Sequence, residues 1–247
     1  MTAAHAGEAS LLRVDGLTKS FGGFVALDNI SVEIRKGERF GLIGPNGSGK
    51  TTLVNCISGA LRPNKGAVVF GGDDITQLPP NQRARRGIAR SFQIPRPFRS
   101  MTVAENLMVA LDFAAGHSGS LRERQEAAMA ILSKMGLAAK ARALTATLSQ
   151  VELRKMELAR AVAMGPKLLI SDEAMAGLST SEVDEVLDLL LSLGGDNIAI
   201  IMIEHIMQAV MRFSERVMCL DAGRIIAIGA PQEVMANPRV QEAYLGT

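Results

Sequence analysis

The stretch Gly41–Thr52, "GLIGPNGSGKTT", decides how the chain folds. From Gly44 it satisfies G-x-x-x-x-G-K-[ST] at every fixed position. It stands between an apolar strand signal, "RFGLIG", and a helical signal from about Lys50 to Gly59. Glycines let a backbone curl until successive N–H groups converge on phosphate oxygens, and the following helix adds its positive end. Lys50 brings a charge to β- and γ-phosphates, and Thr51 offers a hydroxyl to Mg²⁺. The candidate cradle is Gly44, Asn46, Gly47, Ser48, Gly49, Lys50, Thr51 and Thr52. A glycine loop that binds nothing is the bland alternative, and the flanking strand and helix weigh against it.

Outward from this loop, "LLRVDGLTKSF" and "ALDNISVEI" alternate and are punctuated by Gly and Asp-Asn, which suggests an antiparallel start. Residues 1–10 read as a flexible tail, and 11–247 as one domain. From about Pro95 to Gly165 the composition turns Ala-, Leu- and Met-rich. "TVAENLMVAL" opens with a Thr-x-x-Glu capping box, and "SLRERQEAAMAILSKMG" follows with helical character. This region, about 95–165, reads as a helical lobe inserted in the domain. Strands then resume and alternate with helices: "KLLIS", "SEVDEVLDLLLSL", "NIAIIMI", "HIMQAVMRF", "RVMCL" and a hairpin strand "RIIAIG". That alternation argues for an α/β fold with a mostly parallel sheet.

At 247 residues the chain is long enough to bury its core without staples. Lys and Arg number 27 against 25 Asp and Glu, and this near balance gives no argument for nucleic acid as a partner. Cys56 and Cys219 have no metal-type spacing and read as buried small hydrophobes of a reducing compartment. The strongest apolar run, "NIAIIMIEHIM", is broken by Glu204 and His205 and falls short of the roughly 18–20 residues of a membrane span. The first ten residues lack the pattern of a secretory signal. The expected place is the cytoplasm.

Two further stretches carry chemistry. "KLLISDE" is an apolar strand ending in Asp172 and Glu173, where a Mg²⁺ partner and a water-activating base belong beside a phosphate loop. A helix-capping acidic pair is the alternative. "IMIEHIM" ends another strand near His205, which is placed to hydrogen-bond a γ-phosphate; alone it would read as a satisfied histidine. The other two histidines are His5 in the tail and His117 in "AAGHSGS".

"TLSQVELRKMELARAV", Thr147–Val162, starts as a turn and continues as a helix. Ser149 and Glu152 form a capping box, and Met156, Ala159 and Ala163 share a face. The residues alone leave open a nucleotide contact, a weakened one, or a helix start.

The order of these motifs resembles the ATP-binding subunit of an ABC transporter from about Leu11 onward. The resemblance implies a P-loop NTPase core, a mostly parallel sheet plus an antiparallel β subdomain, with an inserted helical lobe. It implies ATP hydrolysis with Mg²⁺. By it, Phe21 in "KSFGGFVAL" stacks on adenine, and Gln93 in "SFQ" touches Mg²⁺ and links to the lobe. Lys50, Glu173 and His205 are the catalytic set, with Thr51, Gln93 and Asp172 at the metal. Ala176–Ser179, "AGLS", crosses to a partner subunit. "GIARSFQIPRPFRSMTVAENL", "IEHIMQAVMRFSERV" and the ending "GAPQEVMANPRVQEAYLGT" resemble the branched-chain amino-acid uptake group, whose close relatives handle amides.

In this family the turn before that helix is LSGGQ or LSYGQ, and it contacts ATP held by the opposite subunit. Here Leu148 and Ser149 fit, but Gln150, Val151 and Glu152 follow, and Val151 stands where glycine permits close approach. Ala174 replaces the usual proline after the acidic pair. The implied partners are a second ATPase subunit in a homo- or heterodimer, integral membrane permeases, and indirectly a periplasmic or extracellular solute-binding protein. The implied location is peripheral, on the inner face of the cell membrane. The competing readings are a regulatory ATP-binding module with weak hydrolysis, and a non-transport ABC ATPase. The second is disfavoured by the lack of a second cassette, a coiled-coil insertion or a basic tract.

Overall fold

Strands "RFGLI", "LLISD" and "AIIMI" carry no polar alternation, and their residues are buried almost without exception. Such runs form only where both faces of a sheet are covered. The computed structural model describes residues 10–91, 96–114, 120–195 and 197–245. Residues 1–9 of the expected tail, with His5, the Gln93 expected at the metal, and His117 lie outside the described residues.

The elements in chain order are β1 (Ser10–Phe21), β2 (Phe24–Arg35), β3 (Arg39–Ile43), α1 (Lys50–Ser58), β4 (Lys65–Phe70), β5 (Asp73–Asp74), α2 (Pro80–Arg85) and β6 (Ile88–Arg90). Then come α3 (Val103–Ala114), α4 (Leu121–Lys134), α5 (Gln150–Ala163), β7 (Leu168–Asp172), α6 (Thr180–Gly194), β8 (Ala199–Ile203) and α7 (Met207–Phe213). The chain closes with β9 (Arg216–Asp221), β10 (Arg224–Gly229), α8 (Pro231–Met235) and α9 (Pro238–Leu245). β1 begins at Ser10, which pairs with Arg35, so the strand reaches one residue into the stretch expected as tail.

Six strands form the central sheet in the order β10-β9-β3-β8-β7-β6. All neighbours are parallel except the β9–β10 hairpin. Its turn, Asp221-Ala222-Gly223, has positive φ at Ala222 and Gly223, as a tight hairpin requires. A separate antiparallel sheet runs β2-β1-β4-β5. Helix α1 is clamped between the two sheets: Leu53, Val54, Cys56 and Ile57 share one apolar cluster with Leu12, Leu27 and Val68 on one side and Ile170, Ile201 and Leu220 on the other.

The opposite face of the central sheet is covered by helices. Leu169, Ile200 and Met202 join Phe213 of α7, Leu187 and Leu190 of α6, and Met156 and Ala159 of α5. The same cluster runs on through Leu132 of α4 and Leu107 of α3. Both cysteines are free and buried, and burial pushes each thiol up to about 11. Among the described residues, no helix is long and apolar enough to cross a membrane.

One buried side chain left no apolar signal in the sequence. Arg83 of α2 is 0% exposed. Its guanidinium donates to the carbonyls of Cys56 (2.7 Å) and Ile57 (2.8 Å), the orphan acceptors at the C-terminal end of α1. It also donates to Thr76 and Leu78 (2.8 and 2.9 Å). A cation at a helix C-terminus also offsets the negative end of the dipole. Arg83→Met leaves these buried carbonyls unsatisfied and is expected to cost about 3 kcal/mol or more, read as a lower midpoint in urea denaturation.

Candidate active site

The phosphate loop joins β3 to α1. A Cβ on Gly44 would stand 2.1 Å from the Leu220 carbonyl oxygen, and one on Gly49 would stand 2.7 Å from the Ala26 oxygen. Glycine at these two positions therefore lets the loop lie against both sheets. Gly223 of the β9–β10 turn donates to the Ser48 carbonyl at 3.0 Å and fixes the loop from the C-terminal side. Asn46, Gly47 and Thr51 face solvent, and Thr52 is half-buried.

Lys50 is buried, and its ammonium donates to the Gly44 and Pro45 carbonyls at 2.6 and 3.0 Å. Burial lowers its pKa, while the charges of Glu173 and Asp172 oppose that shift. The Ser48 hydroxyl is buried and has no hydrogen-bond partner among the described residues.

β7 and β8 run parallel with Asp172 beside Ile203, so the acidic pair and His205 emerge at the same edge. Glu173 has φ +47, a left-handed conformation that costs a non-glycine residue free energy and is found at over-determined sites. What holds it comes from the end of β8. Its N–H donates to the Ile203 carbonyl at 2.9 Å, and its Oε1 lies 2.9 Å from His205 Nε2. The buried Glu204 carboxylate accepts from the Met175 N–H at 2.9 Å and secures the turn from below; burial raises its pKa.

Asp172 is buried and accepts from Arg90 at 2.6 Å. The same guanidinium donates to Asn55 Oδ1 at 2.6 Å, one helical turn beyond Thr51. Among the described residues, no group of three or more His, Cys, Asp or Glu side chains could hold a metal by itself. The donors beside the loop, the Thr51 hydroxyl and the Asp172 carboxylate, are hard oxygens. They fit Mg²⁺, which takes one or two protein oxygens and completes its shell with phosphate and water.

The structure thus assembles Lys50, Thr51, Asp172, Glu173 and His205 at one edge of the sheet. Phe21 is 47% exposed at the β1–β2 hairpin, opposite Phe24, with the Lys19 ammonium 5.1 Å from its ring centre. Ser149 stands apart from the chain's own loop, at the start of α5. Its capping box with Glu152 forms as the sequence indicates, at 3.3 Å to the Glu152 N–H and 2.9 Å from the Ser149 N–H to the carboxylate. Val151 lies in the first helical turn and packs its side chain on the large apolar cluster.

Two contributors escaped the sequence reading. Arg90 had no signal beyond being basic in an apolar strand. Tyr244, the only tyrosine, sits on α9 and accepts a hydrogen bond from the Gly44 N–H at 2.7 Å. Burial pushes its hydroxyl up to about 12, so it stays neutral at working pH. Val240 of the same helix packs with Ile43 and Cys219.

The model of the ABC transporter family matches residues 27–176. The chain belongs to the ABC transporter family. It is an ATP-binding subunit and an ATPase. A second model, described as a branched-chain amino acid ATP-binding cassette transporter, matches residues 224–247 of this ABC cassette. It is 38% identical to the high-affinity branched-chain amino acid transport ATP-binding protein LivG of Escherichia coli and 36% identical to BraF of Pseudomonas aeruginosa, each over 96% of this chain and 98% of the relative. It is 35% identical, over 96% of its length and 98% of the relative's, to the lipopolysaccharide export ATP-binding protein LptB of Acidithiobacillus ferridurans. Among solved structures, an ABC-transporter cassette in its ADP conformation superposes with a TM-score of 0.87 at 32% identity, covering 97% of this chain and all of the other. A nucleotide-free cassette matches with TM-score 0.87 at 31% identity and the same coverage.

In this ABC cassette the C-terminal helix and the phosphate loop meet at one hydrogen bond. Tyr244→Phe keeps the ring and removes the acceptor. The expected result is an ATP affinity lower by about three- to tenfold, the scale of one net hydrogen bond, with faster hydrogen exchange at the Gly44 amide. Calorimetry and exchange on the same variant check both.

Proposed function

We propose that this cassette powers uptake of branched-chain amino acids or related amides through membrane permeases fed by an external solute-binding protein. The observation that carries the solute class is the near full-length likeness to LivG and BraF, joined by the C-terminal match at residues 224–247. The cassette works peripherally, on the cytoplasmic face of the membrane. A groove of about 570 Å³ between β6, α3 and α5, with Phe113 79% exposed at its edge, has the apolar character that a permease segment needs.

Hydrolysis follows from the positions of the chain's own groups. Phe21 stacks on the adenine, and the N–H groups from Asn46 to Thr52 surround the phosphates. Thr51 and Asp172, with the Gln93 that the family resemblance implies, would hold Mg²⁺, which would supply positive charge at the β- and γ-phosphate oxygens. Lys50, anchored on the Gly44 and Pro45 carbonyls, turns its remaining N–H to the same oxygens. Glu173 takes a proton from the attacking water, with its carboxylate aimed by the strained backbone and by His205. His205 then faces the γ-phosphate and stabilises developing charge. Glu173→Gln keeps the shape and removes the base. The expected outcome is intact ATP binding with hydrolysis slower by roughly 10²–10⁴-fold, measured as phosphate release from the cassette assembled with its permeases.

The composite site needs the turn of a second cassette. The turn here supports a heteromer, in which the partner supplies an intact glycine turn to the site built on Glu173. Val151 lies in the first turn of α5 and its side chain packs on the large apolar cluster, so valine does not distort the helix start. Glycine there would still let backbone and phosphate approach more closely. The regulatory reading, ATP binding with weak hydrolysis, rests on the same residue. Restoring Val151→Gly with Glu152→Gln separates them. In isolated homodimers the repaired turn should raise ATPase rate; in the heteromer it should change only the site built on the partner's own catalytic glutamate. Rates for wild type and repaired chain, each with that glutamate intact or removed, decide. A repair without effect in every assembly shows that the valine is harmless.

A further inference from the structure

The strand β6 is three residues long and lies at the sheet edge beside β7, with Arg90 opposite Ile170. Asp172 is two residues beyond Ile170 on the same strand, so the two share a face of the sheet. Arg90 at the end of β6 reaches that carboxylate across the strand pair. One arm of its guanidinium takes Asp172 Oδ2 at 2.6 Å, and the other takes Asn55 Oδ1 on α1 at 2.6 Å. Both side chains of the ion pair are largely shielded, at 14% and 11% exposure. A planar fork bound at two points by acceptors from different elements is held in place.

We propose that Arg90 is the resident counter-ion of Asp172 and makes Mg²⁺ binding conditional on nucleotide. This rests on reading Asp172 as the metal carboxylate. Asp172 and Glu173 are adjacent, so this edge of the sheet concentrates negative charge. Carboxylates so placed attract divalent cations whether or not ATP is present. Lys50 is committed to the loop carbonyls and answers only part of that charge. Arg90 answers Asp172 directly.

Two effects of Arg90 on the metal oppose each other. Its hydrogen bond orients the carboxylate, which favours a metal. Its charge repels a divalent ion, and in a shielded site that repulsion is weakly screened. Orientation concerns one short side-chain torsion, whereas the repulsion is between a cation and a doubly charged ion a few ångströms apart. Repulsion wins. Free Mg²⁺ is therefore kept off Asp172, and the ion enters when the nucleotide's phosphates add enough negative charge to outweigh Arg90. Because Arg90 also lines the groove proposed for the permease, the metal carboxylate and the docking surface share one side chain.

The test uses Mn²⁺ as the probe, with electron paramagnetic resonance of the free ion titrated against the nucleotide-free full chain. Arg90→Gln should bind Mn²⁺ more tightly than wild type by about fivefold or more, the direction set by loss of a like charge. Arg90→Lys keeps the charge and should stay near wild type. Arg90→Gln with Asp172→Asn should lose the gain. If Arg90→Gln does not fold, Arg90→Met, which fills the same groove floor without charge, takes its place. An unchanged Mn²⁺ affinity in the neutral variant overturns the inference. Failure of the underlying reading looks different: Asp172→Asn alone would then leave the affinity for Mn²⁺ with ATP at the wild-type value.

Discussion

The Leu220 carbonyl stands where a side chain on residue 44 would begin, and the Ala26 carbonyl does the same at residue 49. Everything at the site depends on these two close approaches. They bring the central sheet, through β9, and the antiparallel sheet, through β2, against one short loop. With the loop seated, α1 follows directly from it and its apolar face fills the gap between the sheets. The clamped helix then sets the positions of Thr51 and Asn55, and Asn55 in turn shares Arg90 with Asp172. A larger residue at 44 would therefore disturb an acidic residue more than a hundred positions later.

Much of this was legible in the sequence because the relevant signals are local. A glycine loop between strand and helix has a spacing that few other structures need. The capping boxes at Thr102 and Ser149 are three-residue patterns with one geometric meaning, and both form. Apolar strands ending in Asp172-Glu173 and near His205 announce a parallel sheet with chemistry at one edge. Two more capping boxes, Ser120 with Glu123 and Ser179 with Glu182, are equally local and open α4 and α6.

What escaped was long-range. Arg83 is buried because α1 happens to end above it, and nothing in "NQRAR" reports the carbonyls it meets. Tyr244 finds Gly44 across 200 positions of chain. Arg90 looks like any basic residue until strand register sets it beside Asp172. Charged and aromatic side chains whose partners lie on distant elements carry no periodicity, so the pattern-based reading treats them as surface. The strain at Glu173 is invisible for a related reason, since it is imposed by bonds from Ile203 and His205 rather than by its own neighbours.

The ammonium of Lys50 rests on two carbonyls of the loop that it serves. An ammonium has three N–H donors, so two held by the loop leave a third for a phosphate oxygen. The carbonyls thus fix where the charge stands without using up its capacity. A long, rotamer-rich side chain that is already anchored has little freedom left to lose when it meets a ligand. The grip on phosphate is therefore set in advance by the same backbone that curls around it.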